Sequence, residues 1–409
     1  MKKATHKQAL KGLKVLDFTW VVAGPISTKY LGDYGATVIK IESREHPDFL
    51  RTSGPFKDHK ADPNGTGYFA FFNANKFSML LKLNHPQGLL IAKKLISWAD
   101  IVVENYVPGT LEKLGLDYEH MKAINQDIIM ISASGQGQIG PYARVPIGGN
   151  WLSALTGFFW FSGWPDSGVS QPYGAYSDLI SPRFMIVAIL AALRYRQKTG
   201  KGQYIDFSQF ESGIQFLSPA MLDWTANSRD GERIGNAAAS SAPHGVFPCL
   251  EGRWCALSVS TEEEWTAFCK VIGGARWTKE VKYASLWNRK QNEDELNKLV
   301  AQWTIRHTPE QVMLLMQKAG VPAGVVESTK DLCEDPQLKF RNHFWTLDHP
   351  VIGPYAHLGQ ASILKETPAK PRMPAPCLGE HTEYVCRKLL NISDKEFVEY
   401  LNGGAFGVL

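Results

Sequence analysis

Asp178 stands in Ala175-Tyr176-Ser177-Asp178-Leu179-Ile180-Ser181-Pro182, directly before a long apolar run. A carboxylate at the mouth of a helix feels the positive end of the helix dipole. If loops also cover it, it becomes a candidate covalent nucleophile. Asp and Ser ahead of a Pro-initiated helix are equally ordinary N-cap residues, so the octapeptide admits both a cap and a nucleophile. A second constellation is Gly135-Gln136-Gly137-Gln138-Ile139-Gly140, a G-x-G-x-x-G after a strand pattern. Pro141 follows at once, no helix opens, and the acidic residue expected after the next strand is missing. A dinucleotide fingerprint needs that helix N-terminus for its pyrophosphate, so a flexible active-site loop fits better.

Cations lie beside turns in Asn73-Ala74-Asn75-Lys76 and in the run from Glu104 to Gly115. With Lys40, Arg44 and Arg51 they either form a phosphate-binding rim or are solvated surface charges. From Gly235 to Gly245 the chain is too poor in apolar bulk to be core. Backbone amides in such a loop can approach a reacting carbonyl; the alternative is a plain linker. His244, at its end, reads as a base or as a structural histidine.

The elements that would position these residues follow from pattern. Val15–Phe18 reads as a strand, Ile26–Tyr34 as a helix ended by Gly35, and Thr37–Glu42 as the next strand. A helix over Pro86–Trp98 leads into the strand Ile101–Glu104, and Ile128–Ser132 is another. This alternation predicts an α/β fold with a parallel, doubly wound sheet. A helix from Pro182 to Arg196, stopped at Lys198-Thr199-Gly200, precedes a strand at Tyr204–Phe207. Beyond about Asp223 the texture changes to antiparallel strands near Gly245–Phe247 and Trp254–Val259. Helices are expected at Glu262–Ile272, Asn292–Thr304 and Pro309–Ala319. The division predicted is residues 1–224 as a large domain, 225–330 as a smaller α+β domain, and 331–409 as a segment with a last helix near Glu380–Leu390.

Composition bounds the function. The chain has 409 residues, 44% apolar and 21% charged, the profile of a soluble globular protein. A net charge of +4 does not suggest nucleic-acid binding and suits a small polyanion better. The six cysteines form no C-x-x-C pair, so no zinc site or disulfide framework is expected, and reduced thiols fit a cytoplasmic protein. The basic start, Met1 to Lys7, lacks an apolar segment after it, so no secretory signal is expected. The uncharged run Val145–Pro165 is broken by Gly and Pro, which argues for an aromatic-rich loop or pocket lining over a membrane helix.

Jointly these segments resemble the family III CoA-transferases, the group of formyl-CoA, carnitine and bile-acid CoA-transferases, with α-methylacyl-CoA racemases as relatives. The likeness runs nearly end to end. It is carried by Leu13–Phe18 with Ala23-Gly24-Pro25, by Gly35–Glu42, Asn75-Lys76 and Val103–Gly115, and by Ser134–Gly137 and Thr199–Gln203. The resemblance implies that Asp178 is the catalytic aspartate. It implies a Rossmann-like large domain built from both chain ends and ring-shaped subunits interlocked in a dimer. It implies no tightly bound cofactor and no metal, with coenzyme A and acyl-CoA as substrates. The CoA contacts would be Val22, Ala23 and Asn105, with Lys40, Arg44, Lys76, Lys113 and Arg144 toward its phosphates. The loop of Ala237, Ala238, Ala239, Ser240 and Ser241 would face developing oxyanions.

The implied reaction moves CoA between carboxylic acids through a mixed anhydride and an aspartyl-CoA thioester. Thr19–Pro25 and Arg51–Pro55 are most similar to the succinyl-CoA:benzylsuccinate CoA-transferase subunits. That suggests a succinyl-CoA donor, an aromatic or bulky acceptor such as benzylsuccinate, and either a homodimer or a heteromer with a paralogous subunit. The alternatives are an acyl-CoA racemase or epimerase, and a non-catalytic partner subunit. Three departures matter. Val22 stands where the formyl-CoA enzyme has a glutamine, and Gly148-Gly149 where racemases carry a His-Asp pair. Ser43 replaces an arginine that binds CoA phosphate in some relatives, leaving Arg44 to serve.

Overall fold

A computed structural model describes residues 8–407 of the chain. The basic Met1–Lys7 run lies outside the described residues. The chain divides into two compact units. The larger comprises the residues up to Phe158, Gln171–Ser228, and those from Lys339 onward; the smaller comprises Phe159–Ser170 and Arg229–Leu338. Part of the aromatic run, residues 159–170, thus belongs to the smaller unit, and the return to the larger unit comes eight residues later than the composition shift suggested.

The larger unit is built on a six-stranded sheet: β1 (Lys14–Asp17), β2 (Thr37–Glu42), β3 (Lys76–Leu80), β4 (Ile101–Glu104), β5 (Ile129–Ser134) and β6 (Tyr204–Ser208). The spatial order is β3-β2-β1-β4-β5-β6, parallel throughout. Such strands bury both faces, and the alternation shows it. Leu16, Ile39, Val102 and Met130 enter one core, while Val15, Val38, Ile101 and Ile129 enter the other. The first core is completed by Ile392, Phe397 and Phe406 from the C-terminal segment, so both chain ends build this unit. β3 was not anticipated. Its Lys76 and Ser78 interrupt the apolar run and gave the segment the look of a charged turn.

Three helices bear on the site: α1 (Ala23–Asp33), α2 (Gly149–Leu155) and α3 (Tyr176–Thr199). α3 begins six residues earlier than Pro182, which sits inside it. Its N-cap residue Ala175 supplies no side-chain cap, so Asp178 lies in the first turn and does not serve as the cap. Pro182 has no N–H to offer the carbonyl four residues back, which is that of Asp178. α3 is long and apolar enough to cross a membrane, yet Met185, Ile189, Ala192 and Leu193 pack on the sheet as core. α4 (Ser218–Asn227) buries none of its residues.

The smaller unit has an antiparallel sheet of β7 (His244–Pro248), β8 (Trp254–Ser258) and β9 (Ala323–Val325). Helices α5 (Glu262–Val271), α6 (Leu286–Gln291), α7 (Glu293–Thr304) and α8 (Pro309–Lys318) accompany it. Phe247, Cys255 and Leu257 join Phe268, Leu296, Val300 and Val312 in one core. The opposite sheet face, with Val246 and Trp254, is left open to solvent.

Candidate active site

Strand order reverses direction between β1 and β4, and ligands of open α/β sheets bind at the carboxyl ends of strands at such a switch point. A cavity of about 300 Å³ lies there. The turn after β1 supplies Trp20, Val21, Val22 and Ala23 to it, and the turn after β4 supplies Asn105 and Tyr106. Asp178 and Gly149 line the same cavity.

Asp178 is only 7% exposed. Burial pushes its carboxyl up to about 7. A helix dipole stabilises a first-turn anion by about 0.3–1 kcal/mol, whereas a shift of this size corresponds to about 4 kcal/mol, so desolvation wins. Among the described residues no group hydrogen-bonds this carboxylate, although its own amide donates to the Ala175 carbonyl at 3.0 Å. The room for it is provided by Gly149. A Cβ there would stand 2.2 Å from Asp178 Oδ2 and 2.6 Å from Ala175 Cβ. Two serines fix this approach of α2 to α3. Ser153 Oγ and Ser177 Oγ both donate to the Gly149 carbonyl, at 2.8 and 3.0 Å, and the Ser177 amide donates to Ser153 Oγ at 3.1 Å.

The turn after β1 is strained and tied down. Val21 has φ of 65°, a left-handed conformation that a β-branched residue rarely adopts. Its amide donates to Asp48 Oδ1 at 3.1 Å. Trp20 exchanges two backbone hydrogen bonds with the Asn105 amide, each 2.8 Å, which locks the turns after β1 and β4 together. Tyr106 follows, its amide donating to the buried Glu104 carboxylate at 2.8 Å.

Several expected phosphate ligands are instead structural. Lys40 and Lys76 have no exposed surface. Lys40 Nζ donates to the Thr19 carbonyl at 2.6 Å and pairs with Asp48 at 3.1 Å. Lys76 Nζ reaches Asp17 at 3.0 Å, the Pro25 carbonyl at 2.9 Å and Asn73 at 2.9 Å. Arg51 is equally buried and grips Glu42 with two bonds of 2.7 Å. All donors of these side chains point inward, so a phosphate rim built on them is corrected by burial. Burial alone would raise the Asp17 carboxyl, but Lys76 and Lys40 more than reverse it and hold it below its ordinary value. Arg44, Lys113 and Arg144 are exposed, and Arg144 lines a separate cavity of about 610 Å³ with Glu104. Val22, Ala23 and Asn105 line the Asp178 cavity, and Asn105 spends its side chain on Trp20.

The run from Ala237 to Ser241 lies in the smaller unit as an anchored turn. Lys290 Nζ donates to the Ala238 carbonyl at 2.9 Å, Ser241 Oγ meets Ser260 Oγ at 2.8 Å, and buried Arg289 donates to the Ala242 carbonyl at 2.8 Å. Ala239 and Ser240, at its tip, are exposed. The Gly135–Gly140 run opens no helix; the Gln138 amide donates to Asp206 at 2.9 Å. Among the described residues no group of three or more His, Cys, Asp or Glu side chains is placed to hold a metal ion.

A buried, unpartnered carboxyl at the switch point of a parallel sheet suits acyl transfer, and the comparisons decide the family. The family model for CoA-transferase family III matches residues 10–382. The chain belongs to CoA-transferase family III. Among its relatives, the succinyl-CoA--D-citramalate CoA-transferase of Chloroflexus aurantiacus is 29% identical over 95% of both chains. The human succinyl-CoA:glutarate CoA-transferase is 30% identical over 97% of this chain and 89% of its own. A CAIB/BAIF family protein of Brucella suis superposes with a TM-score of 0.86 at 29% identity, covering 94% of this family III chain and all of that one. The sequence points to Asp178, and to Gly149 only as a departure from the racemases; the packing role of Gly149, Ser153 and Ser177 is not legible there. The adjacent glycines at 148 and 149 were the available signal.

Proposed function

We propose that this protein moves CoA from an acyl-CoA donor to a carboxylic acid with Asp178 as the covalent nucleophile. The carrying observation is its carboxyl, buried without a hydrogen-bonding partner among the described residues, in a cavity that Gly149 opens. The ionised carboxylate attacks the donor thioester, the C–S bond breaks, and a mixed anhydride and CoA thiolate form. The thiolate attacks the Asp178 carbonyl of the anhydride, giving the aspartyl-CoA thioester and releasing the donor acid. The acceptor carboxylate then attacks that thioester, and the returning thiolate takes the acceptor acyl group, restoring the carboxylate. Each step exchanges groups of similar energy, which is what a covalent intermediate contributes. Amides near Asp178 are the proposed oxyanion donors.

Relatives named for succinyl-CoA transfer to citramalate, glutarate and malate support succinyl-CoA as donor. An apolar cavity lining with Trp20, Val22, Val145 and Ile147 favours a bulky or aromatic acceptor such as benzylsuccinate. With Lys40 and Lys76 engaged elsewhere, Arg44, Lys113 and Arg144 are the proposed partners of the CoA phosphates. A second copy, or a paralogous subunit as in the malate enzymes with alpha and beta subunits, is the proposed cover for the exposed apolar residues Val187, Met221, Leu222 and Trp224. The racemase alternative lacks one of its two bases, since glycines occupy the positions of the His-Asp pair.

Incubation with succinyl-CoA, trapping with hydroxylamine and peptide mapping test the reading. Modification on Asp178, absent from Asp178→Ala, is expected. Exchange of the α-proton with deuterated water, or a transferase undiminished in Asp178→Ala, contradicts it.

A further inference from the structure

The smaller unit carries two adjoining cavities, of about 590 and 660 Å³, which share His244, Gly245 and Val246. His244 opens β7 and pairs with Ser258 of β8. Its Nδ1 lies 2.9 Å from Ser258 Oγ. Nε2 has no hydrogen-bonding partner among the described residues, and the ring is half-buried where the two cavities meet.

The larger cavity has an aromatic wall. Trp164 is 56% exposed and lies against Gly235. A Cβ on Gly235 would stand 2.4 Å from the indole, and its φ of +58° is one that glycine adopts without strain. The Gly235 amide donates to the Gly163 carbonyl at 3.0 Å, which holds the indole in place. Ile234, Phe247 and Pro248 extend the apolar lining. Lys290 also lines this cavity, but its ammonium is engaged by the Ala238 carbonyl and Glu293. Asn236, Glu293, Asp294, Asn297 and Lys298 add polar lining beside His244. Aromatic and apolar walls with a few polar groups are the usual form of a small-molecule pocket. Trp160 and Phe161 play another part: they brace the 229–235 segment, Trp160 Nε1 donating to the Gly231 carbonyl at 2.8 Å.

We propose that this cavity binds an arylalkyl carboxylic acid. Its ring lies against Trp164, and a carboxylate oxygen accepts from His244 Nε2–H while the Ser258 hydroxyl donates to Nδ1. The inference goes beyond the proposed transferase reading, because the site stands on residues of the smaller unit alone.

Binding is measured calorimetrically with 3-phenylpropanoate, without CoA, on the full chain. Propanoate lacks the ring, and 3-phenylpropan-1-ol lacks the carboxylate. The phenyl acid is expected to bind at least tenfold more tightly than either. His244→Ala is expected to weaken the acid about tenfold and the alcohol less than twofold; Trp164→Leu should weaken both. His244→Gln, which keeps an N–H donor, is expected to recover most of the loss and covers the case in which the alanine variant misfolds. Equal binding of propanoate, or an acid affinity within twofold of wild type in His244→Ala, overturns the proposal. Trapping on Asp178 in the wild type reports separately on the transferase reading, so a labelled aspartate with no His244 effect rejects this site alone.

Discussion

Asp17 and Asp178 are both buried aspartates in the same unit, placed at the ends of different elements around the switch point, and they behave oppositely. Asp17 ends β1 among two ammonium groups and two hydroxyls, with Lys76 at 3.0 Å, Thr28 at 2.6 Å and Thr19 at 2.5 Å. Its carboxyl is held low. Among the described residues Asp178 meets no cation and no donor, and burial pushes it up to about 7. The surroundings, more than burial as such, separate a carboxylate that holds a turn in place from one left free to react.

The largest effect that sharpens this contrast is kinetic. Asp178→Ala should lower CoA transfer by on the order of 10⁴-fold or more, as loss of covalent nucleophiles does. Because an unpaired acid is removed, the melting temperature should not fall. Lys76→Met should act the other way, costing about 3–5 kcal/mol of stability by leaving Asp17 buried with one cation fewer. Chemical denaturation measures it. Combining Lys76→Met with Asp17→Leu should restore most of the loss, and no recovery would show that the pair has another task.

The pH dependence also separates them. A carboxyl with a raised folded value favours the protonated folded state, so Asp178 destabilises the fold progressively as pH rises from about 4 to about 7. Asp178→Asn should therefore stabilise the protein by up to about 4 kcal/mol at pH 8, an advantage that vanishes near pH 4. Asp17, held low, contributes stability above its unfolded value that is lost as pH falls below about 4. Thermal melts across pH read both signs. Smallest is Gly149→Ala. Its Cβ must displace the Asp178 carboxylate, and a shift of about 1 Å predicts on the order of 100-fold lower kcat, with substrate affinity less affected.

Much of the fold could be read from local pattern. β4 is where its apolar run Ile101–Val103 places it, and β2 is legible from Val38, Ile39 and Ile41 despite the buried Lys40 between them, because strands buried on both faces leave that signature. The missed β3 carries Lys76 and Ser78 inside the core, and only their distant partners Asp17 and Glu42 make that tolerable. The same long-range pairing explains why Lys40, Lys76 and Arg51 looked like surface cations in sequence. Asp178 could be singled out by its place before the apolar helix, where the octapeptide fits a cap equally well, and the family resemblance supplied the catalytic role. Its first-turn position could not be read, since Pro182 resembles a helix start. Gly149 and the Ser153–Ser177 clamp act across 24 or more residues of chain and leave no periodic trace.

Oxygen labelling tests the central claim most directly. With an acceptor acid labelled with oxygen-18 in its carboxylate, one heavy oxygen should be left on the Asp178 side chain each time an acceptor acyl-CoA is released. Mass spectrometry of the peptide containing Asp178 should show that gain, and only when donor acyl-CoA is present. Acceptor acyl-CoA formed with Asp178 unlabelled would contradict the account.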